Sequence, residues 1–326
     1  MELAATEGAL VAAAVAGDHD AFRRLVEPLG QELHLFCYRM LGSFHDAEDA
    51  SQEALVKAWR GIDRYDRRAS FRTWLFRIAA NVARDALRSR RRRVLPHDLG
   101  APGDPALGLG QKRHDIDWLE PYPDSLLGRI DPQAALELRE SVALAFVRAL
   151  QILPPKQRAT LILRDVLDWS AAEVATALDT TVQATNSALQ RARASIAKVG
   201  PSGAAPGRAM DAHRAAMASR YVMAWEAGDI EAIVSMLTED VTHAMPPYPA
   251  WFVGRDALKA LYSAYEIWRG RPGPGVFRVQ PTALNGELAF AEYCRYERNG
   301  PYKAVALTVV SLDRVGTHIS EKLSFV

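Results

Sequence analysis

The sequence predicts a multidomain chain in which two all-α domains precede one α+β domain, and three observations carry that prediction. Apolar residues recur at three- and four-residue steps through the helical stretches before residue 198. Residues 94–132 interrupt that pattern with six prolines and five glycines, the composition of a linker. After about residue 276 the period changes from helical to alternating, with turn dipeptides between the runs. A length of 326 residues suits two or three domains, and 49% hydrophobic with 24% charged residues excludes a disordered chain.

The first element with a distinct chemistry spans residues 46–60. Asp46, Glu48, Asp49 and Glu53 fall within barely two helical turns, ahead of Trp59. A face this acidic is repelled by a polyanion and calls for a basic partner. Residues 71–88 read as the next helix, and they lead into the run 90–93. From Phe71 to Arg93 there are eight arginines against the single acid Asp85, a local charge of +7 in a chain whose total is +1. Such a concentrated field attracts polyphosphate. Tyr65, Phe71, Trp74 and Phe76 lie beside Arg67, Arg68, Arg72 and Arg77, the mixture of stacking surfaces and cations that holds unpaired bases. Asn81, Arg84 and Arg88 share one helical face and favour a DNA contact over a merely solvated surface. Leu75, Ile78, Val82 and Leu87 also fall at helical spacing, so Trp59, Trp74 and Phe76 have a competing reading as core.

In that order, these features over residues 17–93 resemble region 2 of the sigma-70 family, specifically its extracytoplasmic-function (ECF) group. The resemblance implies that residues 46–60 dock on bacterial core RNA polymerase through Asp46, Glu48, Asp49, Glu53 and Trp59. It also implies that Tyr65, Arg72, Trp74, Arg77, Asn81, Arg84 and Arg88 melt and read the promoter −10 element.

The linker carries Trp118, Leu119 and Tyr122 in a Trp-Leu-Glu-Pro-Tyr-Pro segment that cannot easily be helical. Large apolar groups in a linker usually dock, so these three are candidate interdomain docking residues. Residues 136–198 return to helical spacing. Pro154-Pro155 stops one helix, Ser170-x-x-Glu173 is a capping box, and Thr180-Thr-Val-Gln183 is a second capping signature. Two short capped helices across a tight turn make a helix-turn-helix. Asp179 stands where a turn needs a left-handed residue, which Asp tolerates. This unit is similar to sigma region 4, which implies −35 recognition through Asn186, Ser187, Gln190, Arg191 and Arg193. Asn186 and Ala188 replace the cations that many relatives carry, so fewer phosphate contacts are expected.

Residues 200–207 read as a flexible linker. From Asp211 to Val326 there are twelve basic and thirteen acidic residues, which argues against a nucleic-acid contact there. Helical spacing over 212–227, 230–237 and 255–268 gives way to alternating runs at 276–284, 287–297, 302–312 and 317–325. Asn285-Gly286 is a strong hairpin turn, and an antiparallel meander is expected. The runs Tyr221–Ile230, Leu237–Pro247 and Gly254–Leu258 resemble SnoaL-like domains of the nuclear transport factor 2 superfold, which implies a cone with His243, Met245, Trp251 and Phe252 at its cavity. Strand alternation puts His243 and Asp240 on opposite faces, so no acid–base pair emerges. Catalysis, small-molecule sensing and a protein-interaction role all stay open, with the last favoured.

The domain reading is therefore 1–93 (region 2), 94–135 (linker), 136–199 (region 4), 200–210 (flexible linker) and 211–326 (SnoaL-like). Cys37 and Cys294 offer no disulfide framework, no His-x-x-x-His spacing suggests a metal, and no cofactor is expected. Lacking a basic leader or a membrane-length apolar run, the protein is expected to be cytoplasmic, with no membrane contact. The expected partners are core polymerase, promoter DNA and the chain's own C-terminal domain. A separate anti-sigma factor is compatible but not required, and a ligand is left open. A ligand-responsive regulator using the helix-turn-helix alone is the rival reading, and it leaves residues 46–93 unexplained.

Overall fold

A computed structural model describes residues 2–89, 92–127, 141–198, 208–264, 275–297 and 299–326. It divides into two compact units, residues 1–93 with 147–200, and residues 94–146 with 201–326.

The first unit is helical. Helices α1 (Glu2–Val15), α2 (His19–Val26), α3 (Gly30–Leu41), α4 (Phe44–Arg60) and α5 (Phe71–Ser89) form its first part. Helix α2 starts where Asp18 accepts from the amides of Asp20 and Ala21 at 2.8 and 3.0 Å. Helix α3 stops at Gly42, whose φ of 70° favours glycine. Ser43 then caps α4 by accepting from the Asp46 amide at 3.0 Å. Ala47, Ala50, Ala54 and Ala58 give α4 a buried stripe of methyl groups at three- and four-residue steps. Such a stripe lets the helix approach its neighbours closely, and Leu33, Phe36, Met40, Leu75, Phe76 and Ala79 supply buried apolar surface on α3 and α5.

Helices α6 (Leu144–Gln151), α7 (Pro155–Leu161), α8 (Ala171–Ala177) and α9 (Val182–Ala197) follow, with a π-helical stretch at Ile162–Val166. Proline at 154 and 155 ends α6 and opens α7, where a missing amide costs nothing. The Ser170/Glu173 capping box is present, with bonds of 3.2 and 2.8 Å. Asp179 takes a left-handed φ of 50°, as its turn requires. One boundary is corrected: Thr181, not Thr180, caps α9 by accepting from the Ala184 amide at 3.1 Å.

The second unit holds α10 (Arg208–Ala227), α11 (Ile230–Ser235) and α12 (Arg255–Ser263). Its six strands are β1 (Leu237–Ala244), β2 (Trp251–Val253), β3 (Phe277–Leu284), β4 (Glu287–Arg295), β5 (Tyr302–Leu312) and β6 (Ile319–Phe325). They form one sheet in the order β2-β1-β6-β5-β4-β3. Strands β3 to β6 make the expected meander, with the hairpin turn at Asn285-Gly286, both at positive φ (56° and 72°). Outside that meander, β1 pairs with β6 in parallel. One helix, α12, and four strands separate the two in sequence, so no hairpin signal could mark that pairing.

Residues 94–127 group with this second unit. Their prolines and glycines exclude long helices and strands, but they leave backbone groups available for docking. The segment folds as short 3₁₀ turns at Pro96–Asp98, Pro105–Leu107 and Asp124–Leu126. The rest of the expected linker, up to residue 135, and the reading of 200–207 lie outside the described residues. So do the start of the region 4 reading and the end of the expected helix 255–268.

Candidate functional site

Helix α4 displays its acids unevenly. Glu48, Asp49 and Glu53 are exposed, and Glu53 pairs with Lys57 at 2.7 Å along the helix. Asp46 instead forms an ion pair with Arg93 in which both side chains are only 11–12% exposed, so it is not part of the displayed face. Trp59 is half-buried, 4.3 Å from the His19 ring and 5.2 Å from that of Phe22.

The loop before α5 and the helix itself make a second face. Arg67 holds a left-handed φ of 60°, and Arg67 and Arg68 are exposed beside it. The Tyr65 hydroxyl donates to the Ala69 carbonyl at 2.7 Å, and its ring lies 5.2 Å from Trp74 and 5.8 Å from Phe71. Burial raises the Tyr65 pKa, so the phenol stays a neutral donor. A cleft of about 180 Å³ opens here, lined by Tyr65, Arg68, Thr73, Trp74, Arg77 and others. Ring walls with a guanidinium rim suit an unstacked base. Of the three residues with a competing core reading, Phe76 is core, Trp59 is half-buried, and Trp74 is half-buried and lines the cleft; Phe71 is also buried.

Arg77, Asn81 and Arg88 are exposed along α5. Arg84 donates to Asn81 at 3.2 Å and Arg88 pairs with Asp85 at 3.3 Å. Arg72 behaves differently: its guanidinium pairs with Glu32 and lies 4.7 Å from the Trp169 ring centre and 5.7 Å from that of Phe76. Arg158 is the buried bond between the two helical parts of this unit. It donates to the carbonyls of Met40, Gln151 (2.9 Å) and Leu153 (3.1 Å) and to the Gln151 side chain (2.6 Å). Burial first, then Arg92, lowers its pKa to about 10, so it stays charged at neutral pH.

Helix α9 exposes Asn186, Gln190 and Arg191, with Ser187 half-buried. Arg193 is exposed but engaged, in a two-pronged pair with Asp165 at 2.8 and 2.9 Å. Arg191 therefore carries the cation of this face that is free of that restraint.

In the second unit Trp118 is half-buried and held by its own segment, whereas Leu119 and Tyr122 are buried and Tyr122 is bonded to the sheet. Val94 and Trp118 form a parallel bridge, and the Trp118 indole donates to the Arg113 carbonyl at 2.8 Å. Leu119 and Tyr122 are 1% and 2% exposed. Tyr122 and Asn285 bond reciprocally: the Tyr122 amide donates to Asn285 Oδ1 at 2.7 Å, and the Asn285 amide donates to the Tyr122 carbonyl at 2.8 Å. Gly103 and Arg113 donate their amides to the carbonyls of Trp251 and Pro247 at 2.7 and 2.9 Å.

Of the expected cavity residues, His243, Met245 and Phe252 are buried. Trp251 is half-buried and used by the docked segment, donating to the Gly100 carbonyl at 2.9 Å with its ring 4.8 Å from His97. His243 does face inward and Asp240 outward, as alternation requires. Sequence reasoning missed what His243 meets. Its ring bonds Tyr262 at 3.2 Å and Ser324 at 3.1 Å, and Ser324 bonds Thr308 at 2.9 Å. Beside them the Tyr221 hydroxyl donates to Glu292 at 2.7 Å, and the Lys322 ammonium lies 3.8 Å from the same carboxylate. Burial, then the charge of Lys322, drives the His243 pKa well down, so its ring is neutral. Burial and Glu292 drive those of Tyr221 and Tyr262 well up.

Among the described residues no group of three His, Cys, Asp or Glu side chains could hold a metal, and no helix is long and apolar enough to cross a membrane. Both cysteines are free and buried.

Comparison with known proteins matches three families in order: Sigma-70 region 2 over residues 25–93, Sigma-70 region 4 over 143–196, and a SnoaL-like domain over 218–317. The chain is 44% identical over 277 residues to the ECF RNA polymerase sigma factor SigG of Mycobacterium tuberculosis, covering 84% of this chain and 74% of SigG. It is 30% identical over 275 residues to SigJ of the same organism, covering 80% and 78%. The crystal structure of SigJ aligns with a TM-score of 0.58 over 93% of this chain and 95% of that one, at 24% identity, which speaks for the fold.

Proposed function

The chain belongs to the ECF group of RNA polymerase sigma factors and carries a SnoaL-like domain, and on that footing we propose how its surfaces divide the work. A sigma factor of this family binds core RNA polymerase and promoter DNA and is not an enzyme. Helix α4 presents Glu48, Asp49 and Glu53 to a basic polymerase surface, with Trp59 as a packing residue. Asp46 supports that surface through Arg93 and does not contact the partner.

Helix α5 and its loop meet the −10 element. Tyr65 and Trp74 receive an unstacked base, while Arg77, Asn81, Arg84 and Arg88 follow the backbone. Arg72 joins them once released from Glu32. Helix α9 enters the major groove at the −35 element with Asn186, Ser187, Gln190 and Arg191, and Arg193 joins after leaving Asp165. We place this work in the cytoplasm.

The C-terminal unit regulates the factor in cis and does so without catalysis. The observation that carries this reading is the reciprocal Tyr122–Asn285 bond, through which the C-terminal domain grips the segment that joins region 2 to region 4 in sequence. Tethering supplies an effective concentration of about millimolar, so a modest interface suffices and no separate anti-sigma factor is required. The test is promoter opening by holoenzyme carrying Trp118→Ala with Tyr122→Ala. The double variant changes open-complex formation in the full chain and has little effect in a chain ending at Gly200. Equal effects in both would sink regulation through docking.

A further inference from the structure

Helix α1 lies ahead of the residues that match Sigma-70 region 2, yet it touches the loop that leads into α5. Val11 and Ala14, 2% and 1% exposed, pack α1 onto the first unit. One turn earlier the helix meets the loop with both a side chain and a backbone group. The Glu7 carboxylate accepts from the Phe71 amide at 3.4 Å, and the Gly8 carbonyl accepts from the Arg67 guanidinium at 3.4 Å.

Each bond meets a need that the loop cannot meet by itself. Ser70 caps α5 by accepting from the Thr73 amide at 3.1 Å, so its hydroxyl serves the third helical residue and not the first. The Phe71 amide opens the helix and has no acceptor within it, and a carboxylate suits that positive end of the helix dipole. Arg67 holds a left-handed φ of 60°, a conformation that persists in a non-glycine residue only where its surroundings fix it. From within the loop, the Tyr65 hydroxyl donates to Ala69 and the Arg68 amide donates to Asp66 at 3.1 Å. Gly8 supplies the restraint from outside. Burial first, then the charge of Glu7, raises the Tyr65 pKa, which puts the carboxylate beside that ring as well. An acid next to a DNA-binding cleft is repelled by phosphate, so affinity alone would favour a neutral side chain there.

We infer that Glu7 is a positioning residue for −10 recognition: by tying the start of α5 to α1 it sets the Tyr65 ring against Trp74, and so keeps the cleft in the shape that takes one unstacked base. The inference rests on the reading of that cleft as the −10 base site. It adds a residue that acts through the loop and not on the DNA.

The test measures holoenzyme binding to a forked promoter duplex whose −10 bases are replaced one at a time by an abasic site. In wild type one position should lose affinity on the order of tenfold, the size of one base–ring stack. Trp74→Ala removes a wall of the cleft and should bind the intact and abasic forks almost equally. Glu7→Ala should reduce the ratio to about twofold or less, because the stack is no longer formed. Glu7→Gln keeps an oxygen that accepts from the Phe71 amide and should restore most of the ratio. The ratio is the readout because loss of a negative charge raises attraction to both forks alike. A folding defect would lower both affinities and leave the ratio, and alanine is favoured in a helix. A wild-type ratio near one at every position would overturn the base site and the proposal with it. A clear wild-type ratio that Glu7→Ala retains would overturn the positioning role alone and leave the cleft as the −10 site.

Discussion

The Lys322 ammonium stands 4.2 Å from the centre of the Trp225 ring, in an interior that also holds Glu292 and His243. Burial keeps its pKa at about 8, below that of the unfolded chain at roughly 10.4. Between those values the unfolded state binds more protons, so stability rises with pH across that window. Comparing wild type with Lys322→Met cancels the groups common to both. The stability difference should move in favour of wild type between pH 8 and 10. Cys294 is 1% exposed in the second unit, so its thiol labelling in a urea series reads this directly. A flat difference would show that Lys322 is not held below its ordinary pKa.

Asn285 is fully buried, and its side chain bonds the Tyr122 amide at 2.7 Å and the Val142 carbonyl at 2.6 Å. Glycine accepts the same φ of 56°, so Asn285→Gly removes these bonds and spares the turn. Two groups are left unsatisfied, and the cost should be about 2 kcal/mol in the second unit by Cys294 labelling. Cys37, buried in the first unit, should label as in wild type.

Arg158 makes four hydrogen bonds from a position only 4% exposed. Methionine fills similar space and abandons the carbonyls of Met40, Gln151 and Leu153. Arg158→Met should cost about 3 kcal/mol or more, now read at Cys37 and not at Cys294. Equal labelling of the two thiols would contradict this division of effects.

Arg191 and Arg193 differ in what holds them. Arg191→Ala should weaken binding to a promoter duplex and reduce the slope of log affinity against log salt by about 0.9. Arg193→Ala should change the slope less, because the Asp165 pair must first be broken. Asp165→Ala releases Arg193 and should strengthen binding. Fluorescence anisotropy of labelled duplex across a salt series checks all three.

The helices of the first unit were legible because periodicity, capping boxes and proline stops agree locally. The helix-turn-helix turn at Asp179 and the hairpin at Asn285-Gly286 were read from the same kind of local chemistry. What escaped depends on contacts distant in sequence. The polar triplet Ser320, Lys322, Ser324 in β6 looks like a solvated strand face. Lys322 and Ser324 nevertheless face the interior because β6 is a central strand, with Leu323 on its other side also buried. Glu292 and Tyr221, on β4 and α10, give no hint of each other from spacing alone. Likewise, proline and glycine told that residues 94–127 are irregular, but not that their backbone amides find carbonyls on the second unit.

The Asn285-Gly286 turn also contains a chemical clock. Asparagine before glycine ordinarily ages quickly, because the glycine amide nitrogen attacks the side-chain carbonyl carbon and expels ammonia. Here the Gly286 amide is committed to Asp124 Oδ1 at 2.8 Å, and the Asn285 side chain is pinned at both ends. Both restraints come from the docked segment and the residues just after it. Damage at this one asparagine, aspartate and isoaspartate accumulating over days, therefore records how much of its life the protein has spent with the segment released.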